Sequence, residues 1–301
     1  MNQAKFKRDR IFWLISLQTG VYGIFMGGFG PALPLLQDYQ GTSAAVAGLH
    51  GTALGIASIL SGYLNAPLVH KFGRYKSAWI GLLIFNIGAM GFVIFPTPAL
   101  TISAMLVVGI GVTIAINNTI TYLAGHFASH QTRALSQNNA VNQGFFLIGT
   151  FIVGVVATTS FNWRFSLLLC VPFSVLLYLF AGRKFNPEHI PSEEGRQRGP
   201  LPRRYWFSWI ALLFTIAAEF GVQFWSAALI RERTDLSAAV STILVLAFPL
   251  GMFIGRWFGP YIAPKLDTDP RLKALLILQG LGFAIFWYSH APILSFIALL
   301  I

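Results

Sequence analysis

Charged side chains are scarce in this sequence. Asp, Glu, Lys and Arg together make up 10% of its 301 residues, and hydrophobic residues make up 55%. A soluble domain carries about 25% charged residues, so this chain has too little polar surface to cover a water-facing globule. The composition therefore predicts a protein whose solvent is the lipid bilayer.

Cysteine and catalytic motifs are scarce too. The only cysteine, Cys170, lies in an apolar run, which excludes an internal disulfide and fits a small buried residue. The chain has no Gly-x-x-x-x-Gly-Lys-Ser/Thr phosphate loop, and no cluster of His, Cys and carboxylates has the spacing of an active site or a metal site. We therefore predict that the protein is not an enzyme and needs no metal, cofactor or ATP. Any energy that it uses would come from an ion gradient.

Acidic residues are the rarer charged type, at 10 against 21 Lys and Arg, which gives a formal net charge of +11. Such an excess is also typical of proteins that bind nucleic acids. Here the basic residues stand in short clusters between long apolar runs, and no separate basic face is visible. Loops of membrane proteins carry such clusters, so we predict no nucleic-acid partner.

Long apolar runs dominate the chain. A membrane helix needs about 20 mostly apolar residues, and about nine such segments can be placed. They are residues 11–36, 44–69, 77–95, 100–127, 137–159, 165–181, 205–230, 237–263 and 272–289. A tenth begins at Ala291 and is cut off at Ile301. The runs are continuous and too long for the alternating segments of about 10 residues that build a membrane β-barrel.

Lys and Arg are distributed unevenly between the two sides of the predicted membrane. With the N-terminus inside, nearly all of them fall in inner loops, and the outer loops hold Arg164, Arg231 and Arg233. This bias follows the positive-inside rule. The sequence therefore predicts a multi-pass protein of the plasma (cytoplasmic) membrane with a cytoplasmic N-terminus.

A stripe of small residues occurs twice. Ser58, Gly62 and Ala66 follow one another at four-residue spacing, and Gly251, Gly255 and Gly259 repeat the pattern. Small residues in this spacing let a neighbouring helix approach closely. A long polar connection rich in proline separates the two copies. We therefore predict a six-helix half over residues 1–182, a cytoplasmic linker over 183–204 and an incomplete second half over 205–301, which lacks about three helices of a full repeat.

The run from Ala66 to Lys76 resembles a loop of the major facilitator superfamily. The family pattern between helices two and three is roughly Gly-x-Leu-Ala-Asp-Arg-x-Gly-Arg-Arg/Lys. Lys71, Gly73 and Arg74 match it, whereas Ala66 and His70 replace its first Gly and its Asp. The resemblance implies an all-α bundle of two halves that rock about a central site, with about nine to ten of twelve helices present. It also implies gating or conformational roles for Gly62, Ala66, His70, Lys71, Gly73, Arg74, Lys76, Gly251, Gly255 and Gly259.

Two other patterns of the family are missing. Met105 stands near the place of an Arg on helix four, and Gly149-Thr150 replaces the Gly-Pro of many drug/proton antiporters. Both departures favour uptake or facilitated transport over drug export.

Glu219 is the one acidic residue inside the predicted spans. At 1.5 Å per residue from Tyr205 it lies about 21 Å along its helix, near the middle of the bilayer. An ionisable group at that depth is costly and is by default a candidate functional site. We expect Glu219 to face the central cavity and to bind a polar substrate or carry a coupling proton. The alternative is a structural hydrogen bond to a neighbouring helix.

Amide and aromatic side chains accompany Glu219 in the middle of several spans. Such groups in a mostly apolar cavity suit a hydroxylated or zwitterionic solute. The candidates are Gln18, Tyr22, Asn86, Asn117, Asn142, Gln223 and Trp225. The alternative is hydrogen bonding between helices, or, for Trp225, anchoring at the outer interface.

Arg256 lies about 28 Å along a span that begins outside, near the inner surface. By this depth we expect it not to pair with Glu219. We predict either a contact in an inner gate or a side chain that extends to the lipid headgroups.

These features together predict a secondary active transporter that moves a small polar metabolite by alternating access. Proton symport is favoured over antiport, and the expected partners are the solute, protons and the bilayer. The alternative, from another class, is a truncated membrane protein that does not transport and acts as a scaffold.

Overall fold

The computed structural model of the protein describes residues 6–184, 200–262 and 268–301. Within these ranges the regular structure is helical, with no strand. The helices are α1 (Arg10–Phe29), α2 (Leu33–Gln40), α3 (Ala44–Ile94), α4 (Pro98–His126), α5 (Gln131–Val156), α6 (Cys170–Phe180), α7 (Arg203–Arg233), α8 (Ala238–Leu244), α9 (Ala247–Ile262), α10 (Thr268–Tyr288) and α11 (Pro292–Leu300). Most of the predicted linker 183–204 lies outside the described residues.

Eight stretches of the described chain are long and apolar enough to cross a membrane. This agrees with the predicted spans, because one of the eight, α3, covers two of them. Two other spans contain a break: α1 and α2 are joined by a short 3₁₀ turn at Gly30–Ala32, and α8 and α9 together form Ala238–Ile262. The prediction of a multi-pass helical membrane protein is therefore confirmed.

Helix α3 replaces the predicted tight turn at Lys71–Lys76 with a single break. The helix has 51 residues, which at 1.5 Å per residue is about 76 Å, more than twice the roughly 30 Å of the hydrocarbon core. At Gly73 the backbone leaves the helical region, with φ 74° and ψ 164°. Only glycine adopts such a conformation without strain. Gly73 therefore divides α3 into two limbs, residues 44–72 and 74–94.

Two tight helix contacts organise the N-terminal helices α1–α6. Where α1 packs on α5, a Cβ atom added at Gly27 would overlap the carbonyl oxygen of Phe146, and one added at Gly149 would overlap that of Ile24. Helix α4 lies between the two limbs of α3, and there a Cβ atom at Gly81 would lie 2.7 Å from the backbone nitrogen of Ala115. These approaches enclose a core rich in phenylalanine.

Of the four glycines in the predicted stripes, only Gly251 makes a close contact with another helix among the described residues. Among the described residues nothing lies within 4 Å of a Cβ atom placed at Gly62, Gly255 or Gly259, although Gly251 packs directly on the carbonyl of Leu300. Ala66 is exposed. Spacing indicates where a helix can approach, but the rotation of each helix decides where it does.

The C-terminal helices α7–α11 pack more loosely. Their buried core is small and consists of Ala227, Ile230, Val245, Ala247, Phe286, Ala298 and Leu299. Helix α7 contacts the turn after α1 as well as α2 and α8, whereas α10 contacts α11. Most of the surface of α7 and α10 is open, so in a membrane these faces meet lipid or other helices.

Candidate functional site

An ion pair joins α7 to α9 in the middle of the bundle. One Nη2–Oε1 distance of 3.3 Å connects Arg256 to Glu219, and the two side chains are 31% and 33% exposed. The expectation that these residues do not pair is therefore wrong. It placed both residues by the depth of their backbone, but helical side chains point towards the helix N-terminus, and α9 runs from the end of the bundle that carries Gln40 towards the end that carries Arg10. The long Arg256 side chain thus reaches back to the level of Glu219.

We define the inner end of the bundle as the end that carries Arg10, the first residue of α1, and the outer end as the one that carries Gln40. The Glu219–Arg256 pair lies between these ends, since α7 reaches Glu219 about 24 Å beyond Arg203 at 1.5 Å per residue.

Helix α5 brings the N-terminal helices against this pair. Ser136 Oγ donates a hydrogen bond of 2.7 Å to the backbone carbonyl of Arg256. Helices α5 and α9 contact each other along several turns. The charged pair therefore lies beside the contact between the N-terminal helices α1–α6 and the C-terminal helices α7–α11.

Amide side chains lie on α1 and α5, one with a hydrogen bond between the helices and two without a partner among the described residues. Asn142 Nδ2 donates to the carbonyl of Thr19 at 2.6 Å, which ties α5 to α1. Gln18 is 1% exposed, and its amide oxygen and nitrogen have no hydrogen-bond partner among the described residues. The same holds for Asn138. Buried amides without partners are costly, so these groups are the ones that a polar ligand or water would satisfy.

Gln223 and Trp225 lie one to two turns beyond Glu219 on α7. Gln223 is buried, and its Nε2 atom has no partner among the described residues, while its side chain packs against Gly30. Trp225 is 38% exposed and its ring lies 3.2 Å from a Cβ atom placed at Gly48, on the first turns of α3. Both therefore belong to the contact between the halves near the outer end.

Three of the predicted site residues lie apart from this region or are sealed from it. Asn86 Nδ2 donates to Ser174 Oγ at 2.9 Å, which joins α3 to α6. Tyr22 is buried within α1 at 6% exposure, and Asn117 is exposed on α4. Roles for all the predicted site residues stay predictions.

The predicted basic turn is solvent-facing. His70, Lys71 and Lys76 are exposed and Arg74 is partly exposed. Within the described residues, no carboxylate is paired with them, and Lys71 lies 5.2 Å from the centre of the Phe72 ring. Their gating role therefore also stays a prediction. Across all the described residues, no group of three or more His, Cys, Asp and Glu side chains is placed to hold a metal.

The structure shows further residues that the sequence did not single out. At the outer end Asp38 and Arg231 form an ion pair of 3.0 Å between α2 and α7, and Thr242 Oγ1 donates to the carbonyl of Pro31 at 3.0 Å. At the inner end, Arg8 contacts Tyr261 on α9. No motif marks these positions, because each contact joins residues far apart in the chain.

This architecture defines the class of the protein. It is a multi-pass helical protein in which two sets of helices meet beside a charged pair. Residues 15–301 match the Major Facilitator Superfamily profile, and the chain belongs to that family, as the resemblance indicated.

Three similar proteins illustrate the relationship. The Bacillus subtilis (strain 168) protein YwtG is 26% identical over 185 residues, which cover 60% of this chain and 40% of YwtG. The MFS-type transporter YfkF of the same organism is 25% identical over 294 residues, which cover 93% of this chain and 73% of YfkF. A structure of the E. coli xylose transporter XylE in a partially occluded inward open conformation superposes with a TM-score of 0.68 at 14% identity and covers 96% of this chain and 79% of XylE.

The likeness to XylE confirms the predicted fold class. The chain thus matches 40% of the length of YwtG and about three quarters of YfkF and XylE. Transport across a membrane is the activity that this family membership leads us to propose below.

Proposed function

We propose that the protein is a secondary active transporter that moves a small polar metabolite by alternating access, coupled to protons through Glu219. The observation that carries this proposal is the Glu219–Arg256 ion pair, which is partly open although it lies in the middle of membrane helices. Ionisable groups at this depth are costly, and they mark substrate pathways and proton relays.

The pair offers two exchangeable states. When Glu219 is charged, it neutralises Arg256. When Glu219 takes up a proton, Arg256 loses its partner, and the cost of leaving a partly buried charge unpaired favours the binding of an anionic or strongly polar substrate group at Arg256. Proton and substrate would then bind together, which is the thermodynamic requirement of symport.

The amides around the contact between the halves supply further polar contacts. Gln18 and Gln223 each have side-chain atoms with no partner among the described residues, and Asn142 on the facing helix α5 donates to the carbonyl of Thr19, the residue after Gln18. We propose these three residues, with Trp225, as the groups that orient the solute. A hydroxylated or carboxylated metabolite fits amide donors and an arginine.

Three other predictions are part of this proposal. The protein would lie in the plasma (cytoplasmic) membrane with its N-terminus in the cytoplasm, and residues 1–182 and 205–301 would move as separate bodies about the linker 183–204. Reporter fusions at the N-terminus and after Lys184 test the orientation, because both sites should report the cytoplasmic side.

Transport by Glu219→Gln tests the central claim. Solutes are first screened by thermal stabilisation of the purified protein against a panel of sugars, nucleosides and carboxylates, and the stabilising solute is then used in proteoliposomes with an imposed pH gradient. We expect Glu219→Gln to lose at least about ten-fold of the pH-driven uptake, because an amide holds no exchangeable proton.

Glu232→Gln is the matched control, since Glu232 is an exposed carboxylate on the same helix, and its uptake should equal that of the parent. Uptake by Glu219→Gln at the parental rate with unchanged pH dependence would refute the proposal. If no solute in the panel stabilises the protein or enters the vesicles, the scaffold alternative gains support.

A further inference from the structure

The segment before α1 links the two sets of helices at the inner end through its side chains. Residues 6–9 are not helical, yet their side chains contact three helices. Asp9 Oδ2 lies 2.6 Å from His126 Nε2 at the end of α4. Arg8 Nε donates to Gln137 Oε1 on α5 at 3.0 Å, and Arg8 Nη2 donates to the Tyr261 hydroxyl on α9 at 3.0 Å.

Tyr261 is the point at which these contacts converge. Its hydroxyl also accepts a hydrogen bond of 3.3 Å from Gln137 Nε2. The guanidinium carbon of Arg133 lies 4.3 Å from the centre of its ring. Arg8 in turn lies 4.9 Å from the ring of Trp257, one turn earlier on α9. Two arginines and one amide thus hold a single tyrosine of the other half.

Aromatic packing fixes the segment on its own side. The ring of Phe6 lies 5.2 Å from Phe127 and 6.0 Å from Phe12 in edge-to-face geometry. Arg133 lies 5.3 Å from the Phe6 ring on one side and against Tyr261 on the other. The segment is therefore anchored on the N-terminal helices, and its link to α9 is the part that must break when the halves separate.

We propose that Phe6, Arg8, Arg133 and Gln137 form an inner latch on Tyr261, which holds the inner ends of the two halves together and sets how often the inner side opens. The latch goes beyond the proposed function, because it concerns the balance between closed and open states of the inner end and not the solute or its coupling. It rests on that function only in that the two halves move.

The variant Tyr261→Phe tests the latch most directly. The variant loses the hydroxyl that accepts from Arg8 and Gln137, but it keeps the ring that Arg133 covers. Because each lost hydrogen bond changes an equilibrium by a modest factor, we expect the ratio of open to closed inner ends to rise about ten-fold. The fold should survive, since Tyr261 is 43% exposed.

Distances between spin labels measure this ratio directly. The labels are placed on Arg183→Cys and Lys273→Cys, both exposed near the inner end and outside the latch, in a Cys170→Ala background that removes the natural thiol. We expect the parent to show mainly one short distance and Tyr261→Phe to transfer population to a longer one. Tyr205→Phe is the matched control, because Tyr205 is 45% exposed at the inner start of α7 and lies outside the latch.

Arg8→Gln provides an independent test of the segment. It should shift the distances in the same direction, and the double variant with Tyr261→Phe should shift them by less than the sum of the two single shifts, because both act through one hydroxyl. Unchanged distances in Tyr261→Phe, or an equal shift in Tyr205→Phe, would overturn the latch. The measurement needs no solute, so a failure of the proposed coupling at Glu219 would leave its outcome unaffected.

Discussion

The first span of the chain, formed by α1 and α2, and the helices α7 and α10 are built from similarly apolar residues but are packed differently. In its most apolar window, the span formed by α1 and α2 is 83% buried inside the structure, whereas α7 and α10 are each 11% buried. Helices in a membrane gain little from apolar surface alone, since lipid is as apolar as leucine. What distinguishes the N-terminal helices is close backbone approach at glycines and hydrogen bonds between helices, such as Thr150 Oγ1 to the Gly27 carbonyl at 2.7 Å.

Removing a buried arginine from the N-terminal helices should give the largest difference in the free energy of unfolding between the two regions. Arg164 is 1% exposed and donates to the carbonyls of Phe92 and Phe95 at the end of α3. We expect Arg164→Ala to lower the free energy of unfolding by about 3 kcal/mol, because it leaves buried acceptors unpaired. Arg231→Ala, which removes an exposed ion pair to Asp38, should cost under about 1 kcal/mol.

Chemical denaturation in detergent, followed by tryptophan fluorescence, measures both variants. Equal losses in Arg164→Ala and Arg231→Ala would mean that the two regions do not differ in the way the packing indicates.

A pair of glycine variants tests the packing itself. Gly149→Ala places a methyl group against the carbonyl of Ile24 where α5 meets α1, and overpacking of this kind costs about 1–3 kcal/mol. Gly255→Ala meets nothing within 4 Å among the described residues and should be neutral or slightly stabilising. The midpoint of thermal aggregation, read by size-exclusion chromatography, should fall in the first variant alone. A fall in both would show that the stripe around Gly255 is in contact with another helix in the membrane.

The smallest expected effect is the pH dependence of stability that Asp9 contributes at the inner end. Burial acts to raise the pKa of Asp9, but hydrogen bonds from the Phe12 amide and from His126, together with the charge of His126, outweigh it, so the pKa of Asp9 lies below its ordinary value. A lowered folded-state pKa stabilises the fold above the unfolded value of 3.8, and this contribution disappears as the pH falls through the folded value.

Asp9→Asn isolates that contribution because asparagine also caps the start of a helix. We expect the variant to be less stable than the parent by a few tenths of a kcal/mol at pH 7, and we expect the difference to shrink as the pH falls below 3.8. A difference that persists unchanged at pH 3 would show that shape, and not charge, is what Asp9 contributes.

Much of the architecture could be predicted from local sequence. The positions of the spans follow from apolar runs, and the break at Gly73 follows from a glycine within a basic run. The expected close contacts are missing at Gly62, Gly255 and Gly259 among the described residues, and the expectation that Arg256 does not pair with Glu219 is wrong. The helices are apolar nearly all round, so the sequence pattern does not show which face turns inward, and a depth counted along the backbone ignores the reach of a long side chain.

The sequence by itself determined that this protein is an all-helical membrane protein, because scarcity of charge and run length are properties of each segment alone, and the run from Ala66 to Lys76 carried its resemblance to a transporter family. The tertiary structure decided which glycines meet, that Glu219 pairs with Arg256, and that Arg8, Arg133 and Gln137 converge on Tyr261. Each of these contacts joins segments far apart in the chain, and it depends on how helices rotate and cross. The rotation and crossing of each helix depend on close packing against all of its neighbours, which no single segment of sequence contains.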